Sequence, residues 1–226
     1  MDQSLQPLRL NKFLAERLGV SRREADELIA AGKILVDDKP AILGARIDKS
    51  SKVCYNKKII PFQTDFLYIA MNKPVGYVCS RRAQGNAPTL YKLLPKEYQK
   101  LKTVGRLDKD SSGLILLTND GDFAFQMTHP KFHKEKIYEV ELNKPLGPLH
   151  QQMISDFGVM LEDGPSKFTV IHEDNKYTVI LSEGRNRQIR RTFAALGYRV
   201  TKLHRTQFGK YQLSGLQPGK CAIIKP

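Results

Sequence analysis

An aspartate near the middle of the chain has the surroundings of a reactive carboxylate. Asp108 follows Arg106 in the segment VGRLDKDSSGL, residues 104–114, immediately ahead of an apolar run. A carboxylate at the edge of a strand can act as a base, as a nucleophile or as the partner of a structural ion pair. The spacing within this segment alone favours the structural ion pair, so the choice depends on the rest of the chain.

Two other segments carry groups that could assist chemistry at a carboxylate. Residues 71–80, MNKPVGYVCS, place Lys73 before a proline and a glycine, where a strand runs into a fixed turn. Residues 183–191, EGRNRQIRR, place four arginines on or beside the start of a helix. A neighbouring arginine favours the charged form of a carboxylate that lies in a pocket.

The charge balance indicates an acidic partner. The chain has 37 lysine and arginine residues against 23 aspartate and glutamate residues, a formal net charge of +14. Clustered basic residues gain free energy by neutralising phosphates and releasing counterions. We therefore expect a nucleic acid partner, with a merely basic protein as the alternative reading of the charge.

Metal-ligating residues are too scattered to predict a metal site. Cys54, Cys79 and Cys221 are far apart and form no Cys-x-x-Cys pair, which argues against zinc held by cysteines. His129 and His133 are four residues apart, but a proline between them argues against one helical face. We interpret both histidines as surface or supporting residues and expect no metal.

Location and assembly follow from weaker signals. Few cysteines are typical of a reducing compartment. The start of the chain, MDQSLQPLRL, is unlike a secretory signal. Apolar runs stay well short of the ~20 residues that span a bilayer. We therefore expect a cytoplasmic protein without membrane contact, and a monomer by default.

The first part of the chain predicts a small helical module with a short sheet. Residues 11–18 have a helical pattern that a glycine ends. Ser21 and Glu24 have the spacing of a capping box, and a second helix follows over residues 22–31. Residues 33–41 then predict a short strand with a turn at Asp37–Asp38, with further short strands and turns to residue 60.

The pattern changes after a linker at residues 61–66. The later part predicts an α+β domain with a largely antiparallel sheet. A hairpin turn is predicted at Asp174–Asn175. The predicted strands are residues 66–73, 113–120, 136–142, 167–173, 177–183, 198–208 and 221–226. The predicted helices begin after Asp120–Gly121 and at residues 148–157 and 186–196.

The N-terminal pattern, RLNKFLAERLGVSRREADELIAAGKILVDDKPA, resembles the small RNA-binding domain named after small-subunit ribosomal protein S-four. The resemblance implies that residues 8–60 recognise structured RNA through its shape and backbone. The alternative is a solvated charged face. The basic residues expected to bind RNA here are Arg9, Lys12, Arg22, Arg23 and Lys33.

The three later segments, KP-x-G, GRLD and EGRNRQIRR, in this order, resemble the pseudouridine synthases. The likeness is strongest to the branch that carries an S-four-type domain and modifies bacterial ribosomal RNA. It implies that residues 66–226 convert uridine to pseudouridine, with no metal and no organic cofactor. Asp108 would be the catalyst that breaks the base–sugar bond. The target base must leave its stack, and Tyr138 would stack on it.

The resemblance also implies roles for several basic residues. Arg190 matches the residue that pairs with the catalytic aspartate, and Arg187, one helical turn away, is the alternative. Arg106 matches an arginine that helps to fill the gap left by the flipped base. The remaining residues expected to bind RNA in this part are Lys73, Arg187, Arg191 and Lys202.

The sequence leaves more than one target RNA and more than one function open. Ser111 stands where many relatives have threonine, and the chain ends without the basic tail of some relatives, which leaves the target open. Large-subunit ribosomal RNA is the first expectation, then small-subunit RNA, then transfer RNA. The competing function is a non-catalytic RNA-binding or ribosome-assembly factor. A nuclease or phosphotransferase is disfavoured, because the metal-binding carboxylate cluster and the complete phosphate-binding loop that such enzymes use are missing from the sequence.

Overall fold

A computed structural model describes residues 7–62, 65–173 and 176–226. The chain divides into two compact units. The N-terminal unit holds the chain up to Leu67, together with Lys100–Lys102 and Asn119–Gly121. The larger unit holds the rest. The predicted linker at residues 61–66 and the predicted turn at Asp174–Asn175 each include residues outside the described parts.

The N-terminal unit is built on two short helices and a small sheet. The predicted capping box is present: the Glu24 amide donates to Ser21 Oγ at 3.1 Å, and the Ser21 amide donates to the Glu24 carboxylate at 2.6 Å. Phe13 and Leu14 of the first helix pack with Ile29 of the second in the core. The elements are β1 (Leu8–Arg9), α1 (Leu10–Arg17), α2 (Arg22–Ala30), β2 (Ile34–Val36), β3 (Lys39–Pro40), β4 (Arg46–Ile47), β5 (Val53–Tyr55) and β6 (Lys58–Ile59).

The larger unit contains a nine-stranded mixed sheet and a separate two-stranded sheet, with helices beside them. Its strands are β7 (Tyr68–Lys73), β8 (Lys102–Val104), β9 (Ser112–Thr118), β10 (Lys136–Leu142), β11 (Val159–Leu161), β12 (Gly164–Ser166), β13 (Thr169–Glu173), β14 (Lys176–Leu181), β15 (Val200–Phe208), β16 (Tyr211–Gln212) and β17 (Cys221–Ile223). Its helices are α3 (Gly121–Thr128), α4 (Pro148–Gln152) and α5 (Gln188–Ala195).

The strand order of the main sheet is β13-β14-β10-β15-β9-β7-β17, with β8 beside β9 and β16 beside β15. The strands pair antiparallel along this path except β15 and β9, which are parallel. The predicted α+β class with a largely antiparallel sheet is therefore confirmed. Hairpins join neighbours directly, whereas the parallel pair requires a long connection.

The predicted central strands are the most buried. Six of the seven residues of β9 are buried, and the side chains of Leu114 to Leu117 are fully buried, as is typical of a strand covered on both faces. The helix expected over residues 148–157 is a five-residue α-helix followed by a π-helical turn, Met153–Phe157. In the described ranges no helix is both long and apolar enough to cross a membrane.

Candidate active site

A pocket of about 280 Å³ in the larger unit is lined by residues from β10, β15, the loop before β9 and the segment before α5. Asp108 and Tyr138 both line it, so the structure brings together two predicted catalytic residues. Arg106 and Arg187 line it as well.

The sheet register explains why these residues meet. Arg205 of β15 lies opposite Tyr138 of β10 on one side and opposite Gly113 of β9 on the other. The register between β10 and β15 shifts between Ile137 and Tyr138, which sets Arg205 against the tyrosine. The loop that carries Asp108 leads directly into β9. Strand β15 therefore lies between the strand bearing the tyrosine and the strand that follows the aspartate.

Gly113 allows β9 and β15 to approach each other. Its φ is +104°, a conformation that L side chains rarely adopt. A Cβ at this position would lie 2.6 Å from the Arg205 amide nitrogen and closer still to its carbonyl oxygen. Only glycine fits such a contact between two backbones. The glycine of the SSGL segment is thus required by geometry and not by chemistry.

The loop of Asp108 is held by the KP-x-G segment. The Lys73 ammonium donates to the Ser111 carbonyl at 2.6 Å and to the Pro74 carbonyl at 3.0 Å. The Gly76 amide, on a residue with φ +90°, donates to the Lys109 carbonyl at 2.7 Å. These bonds fix the loop that carries Asp108. The two sequence motifs are therefore parts of one local structure.

The prediction that Lys73 binds RNA is wrong. Its side chain is fully buried, with 0% of its surface exposed. Burial lowers the pKa of the Lys73 ammonium, and the negative groups of Asp108 and Asp110 oppose that shift. A buried ammonium is tolerated only when its donors are satisfied, and the two carbonyl oxygens satisfy them. Lys73 is a positioning residue for the loop.

The arginine that pairs with Asp108 in the described structure is Arg187, the predicted alternative. Arg187 Nη1 lies 3.8 Å from Asp108 Oδ2. Arg190 is instead directed at Asp110, with its Nε 3.3 Å from the carboxylate and its Nη2 donating to the Asp110 carbonyl at 2.7 Å. It also donates to the Val200 carbonyl at 2.9 Å. The expected pairing of Arg190 with Asp108 is corrected accordingly.

Asp110 is a site residue that the sequence reasoning missed, although it lies two positions after Asp108. Its carboxylate accepts two hydrogen bonds from Arg187, both 2.9 Å long. The hydrogen bond from Arg187 and the charge of Arg190 lower the pKa of Asp110. Arg187 is held in a left-handed backbone conformation, φ +46°, at the start of α5. Asp110 therefore fixes both arginines beside Asp108.

Arg205 is a second site residue that the sequence reasoning missed. Only 2% of its surface is exposed. Its Nε donates to the Leu114 carbonyl at 2.7 Å, and its Nη1 lies 3.4 Å from the Tyr138 hydroxyl. Its guanidinium also lies over the Phe208 ring, 4.9 Å from the centroid. Among the described residues its Nη2 finds no hydrogen-bond partner. Alternation along β15 puts Arg205 on the same buried face as Leu203, but that pattern alone does not predict a pocket residue.

Lys136 also lines the pocket and was not predicted. Burial, together with the charge of Arg205, lowers its pKa from 10.5 to about 8. Its ammonium donates to the carbonyls of Lys134, Ser182 and Glu183 at 3.2–3.3 Å. It lies 5.3 Å from the centroid of Phe208. Lys136 thus ties β10 to the segment that leads to α5.

The other predicted RNA-binding residues lie elsewhere. Arg191 makes a two-bond ion pair with Asp163 at 2.8–2.9 Å, and Lys202 pairs with Glu141 at 3.0 Å. Neither Arg191 nor Lys202 lines the pocket. In the N-terminal unit, Lys12 is half-buried. The exposed basic residues of that unit that were predicted to bind RNA are Arg9, Arg22, Arg23 and Lys33.

The described residues contain no group of three or more histidine, cysteine, aspartate or glutamate side chains placed to share a metal ion. His129 and His133 are both exposed. The cysteine nearest the site, Cys79, accepts a hydrogen bond from the Leu107 amide at 3.4 Å. Burial raises the pKa of the Cys79 thiol, so it is an unreactive packing group. The ionisable side chains that line the pocket are thus carboxylate, phenol, ammonium and guanidinium groups.

Comparison with known proteins identifies the class. The family described as RNA pseudouridylate synthase matches residues 67–195, and the S4 domain matches residues 8–50. The ribosomal small subunit pseudouridine synthase A of Pasteurella multocida is 36% identical over 91% of this chain and 90% of its own length. The ribosomal large subunit pseudouridine synthase B of Bacillus subtilis is 33% identical over 96% and 92%.

A solved structure agrees with these matches. The crystal structure of a pseudouridylate synthase shares 32% sequence identity, superposes with a TM-score of 0.69 and covers 96% of both chains. Coverage of this extent includes both units. The chain therefore belongs to the RNA pseudouridylate synthase family and carries an S4 domain ahead of the synthase domain.

Proposed function

We propose that this enzyme isomerises a uridine of structured ribosomal RNA, that Asp108 is its catalytic carboxylate, and that the target base is turned out of its helix to react. The observation that carries the proposal is the placement of Asp108 in one pocket with Tyr138 and Arg187. About a third of the Asp108 side chain is exposed, so a substrate can reach it. A base within a duplex cannot enter such a pocket without leaving its stack.

The reaction requires no external oxidant or reductant, because pseudouridine is an isomer of uridine. The bond between C1′ of the ribose and N1 of uracil breaks, and the base turns. A new bond then forms between C1′ and C5. C5 loses a proton and N1 gains one, so atoms and charge balance. Asp108 attacks the sugar or otherwise assists the departure of the base, and Tyr138 stacks on the base and relays the C5 proton.

The other pocket residues support these roles. Arg187 attracts the Asp108 carboxylate and is itself oriented by Asp110. The unpartnered Nη2 of Arg205 is a buried donor that suits a uracil carbonyl, because an unsatisfied buried donor costs free energy until a partner arrives. Arg106, exposed at the pocket edge, would occupy the space that the base leaves in the RNA.

The N-terminal unit provides the RNA anchor in this proposal. We assign residues 8–60 to RNA binding and residues 66–226 to catalysis. Exposed arginines at the start of α2 suit phosphate contacts, and the net charge of +14 suits a polyanionic partner. Arg191 and Lys202 would bind phosphates beyond the pocket. RNA phosphates would then replace the carboxylates of Asp163 and Glu141 as their partners.

Ribosomal RNA is the proposed substrate because the relatives are named for ribosomal subunits. Their names divide between small and large subunit, so the expectation of a large-subunit target stays a prediction. The competing function is a non-catalytic RNA-binding factor. The test must therefore offer both ribosomal RNAs and must read out chemistry separately from binding.

The test uses transcripts of both ribosomal RNAs labelled with tritium at C5 of uridine, since formation of pseudouridine releases that tritium. Asp108→Asn is expected to lower release by at least about a thousandfold, because the carboxylate serves the chemical step. Its affinity for the same RNA is expected to stay within about twofold. Asp156→Asn, an exposed aspartate of the larger unit away from the pocket, is the matched control.

Three outcomes decide the proposal. Loss of release in Asp108→Asn alone, with binding intact, supports the assigned role. Release near the wild-type rate in Asp108→Asn removes that residue from catalysis. Binding of either RNA by the wild-type protein without any tritium release favours the non-catalytic factor.

A further inference from the structure

Four side chains beside the pocket form an aromatic and basic group, here called the rim cluster: Phe125, His129 and Lys131, which are exposed, and Phe132, which is half-buried. The ring centroids of Phe125 and His129 are 4.6 Å apart, and those of Phe125 and Phe132 are 5.8 Å apart. The Lys131 ammonium lies 5.2 Å from the Phe125 centroid and 4.7 Å from that of Phe132. Three aromatic rings and a cation thus share one surface.

The backbone fixes the rim cluster at the mouth of the pocket. Thr128 and Pro130, on either side of His129, both line the pocket. The His129 amide donates to the Phe125 carbonyl at 2.9 Å at the end of α3. His129 Nδ1 accepts from the Lys131 amide at 3.3 Å, which fixes the ring and leaves its Nε2–H as a donor. The cluster is therefore ordered before any ligand arrives.

Exposure distinguishes the rim cluster from core packing. Phe125 is 46% exposed, and His129 and Lys131 are exposed as well. An exposed phenyl ring gains nothing from the hydrophobic effect on its open surface. An aromatic surface with a neighbouring cation is the combination that binds unstacked nucleobases, with the base on the ring and the cation near the phosphate.

We propose that the rim cluster binds a nucleobase adjacent to the target uridine, with Phe125 and His129 as the stacking surface and Lys131 beside the phosphate. This inference rests on the proposed function, because the neighbouring nucleotide reaches the rim only when the target occupies the pocket. Stacking tolerates any base, since every base has a π face. The cluster therefore holds the unpaired strand and does not select its sequence.

A structural role for Phe125 makes a different prediction. If the ring only supported the turn that places Thr128 and Pro130, its loss would deform the pocket and slow the chemical step. If the ring stacks on RNA, its loss weakens binding and leaves the bound complex equally reactive. Single-turnover kinetics separate the two, because they give the half-saturating enzyme concentration and the limiting rate independently.

The experiment compares Phe125→Ala, Phe125→Tyr and Phe157→Ala, using tritium release from the ribosomal RNA transcripts with enzyme in excess. Phe157 is a matched control, since it is a 75% exposed phenylalanine of the larger unit away from the pocket. For Phe125→Ala we expect the half-saturating concentration to rise about tenfold, the order expected for the loss of one base–aromatic stack. Its limiting rate should stay within about twofold. Phe125→Tyr, which keeps the ring, and Phe157→Ala should behave as wild type.

The outcomes separate this inference from the proposed function. If Phe125→Ala has the wild-type half-saturating concentration, the proposal that Phe125 stacks on RNA is wrong, whereas the proposed function still holds because the enzyme remains active. A fall in limiting rate alone, or equal losses in Phe125→Ala and Phe125→Tyr, assigns Phe125 a structural role and overturns the stacking proposal as well. If the wild-type protein releases no tritium, the proposed function fails. Filter binding of the same RNA by the three variants then decides whether Phe125 stacks on a nucleobase.

Discussion

Replacing Gly113 by alanine tests the contact that sets the shape of the pocket. The new Cβ would lie 2.6 Å from the Arg205 amide nitrogen and closer to its carbonyl oxygen, so β9 and β15 must separate. A positive φ on a residue with a side chain costs about 1–3 kcal/mol, and overpacking costs about 1–3 kcal/mol more. We expect the free energy of unfolding to fall by about 2–6 kcal/mol.

The assay is thermal unfolding followed by activity at a temperature where the variant is still folded. A loss of about 4 kcal/mol corresponds to a fall in Tm of about 8–16 °C for a domain of this size. Gly197→Ala is the matched control, because Gly197 has φ +78° but the described structure leaves the space around its Cβ open. The free energy of unfolding of Gly197→Ala should fall only by the cost of backbone strain. Activity should fall in Gly113→Ala only, because Arg205 moves away from Tyr138.

Equal melting temperatures for the two alanine variants would refute this reasoning, since they would mean that the close approach of the two strands costs nothing. Full activity in a destabilised Gly113→Ala protein would refute the second half, which links the position of Arg205 to the reaction.

Two further predictions concern pH and salt. Between pH 8 and about 10.5 the unfolded chain keeps a proton that folded Lys136 has lost, so the free energy of unfolding rises with pH across that window, by up to about 3 kcal/mol. Urea unfolding should show this rise in wild type and in Lys176→Met and a smaller rise in Lys136→Met, where the lowered pKa of buried Lys73 still contributes. Parallel profiles in all three proteins would contradict the prediction. Replacing Arg22 and Arg23 by alanine should reduce the slope of log K for RNA against log salt by about 1–2. The Lys39 and Lys58 double alanine variant should keep the wild-type slope, and an equal reduction in both would argue against a specific anchor.

Local signals in the sequence were sufficient for the elements that frame the site. The Ser21–Glu24 spacing predicted a helix start because a capping box involves only neighbouring residues. The apolar run after Asp108 predicted β9, and the alternating pattern around Tyr138 predicted β10. Both strands are present where expected, and Asp108 in the loop before β9 meets Tyr138 of β10 in one pocket.

The same signals could not predict which charged groups are buried. Lys73 ends the apolar strand β7, and its ammonium group is of a kind that often binds phosphate. Its burial nevertheless depends on where the loop of Ser111 folds back. Arg205 becomes a pocket residue only through the register shift between β10 and β15. Register and loop closure are tertiary properties, and a single sequence records them weakly.

The choice between Arg187 and Arg190 failed for a related reason. Both are long side chains at the start of one helix, and helix boundaries deduced from sequence are uncertain by several residues. The helix begins at Gln188, so Arg187 precedes it in a left-handed conformation while Arg190 lies within the first turn. That difference of conformation directs Arg187 toward Asp108 and leaves Arg190 with Asp110.

The unequal use of the two aspartates suits a site in which only one of them reacts. The Asp110 carboxylate lies 2.9 Å from Arg187 and 3.3 Å from Arg190. The Asp108 carboxylate lies 3.8 Å from Arg187. At that separation, between partly solvated groups, the attraction is on the order of 1 kcal/mol. In the proposed reaction, a direct two-bond pair would occupy the oxygens of Asp108 that approach the ribose. Asp110 therefore keeps a positive charge near Asp108 while leaving the oxygens of Asp108 open to substrate.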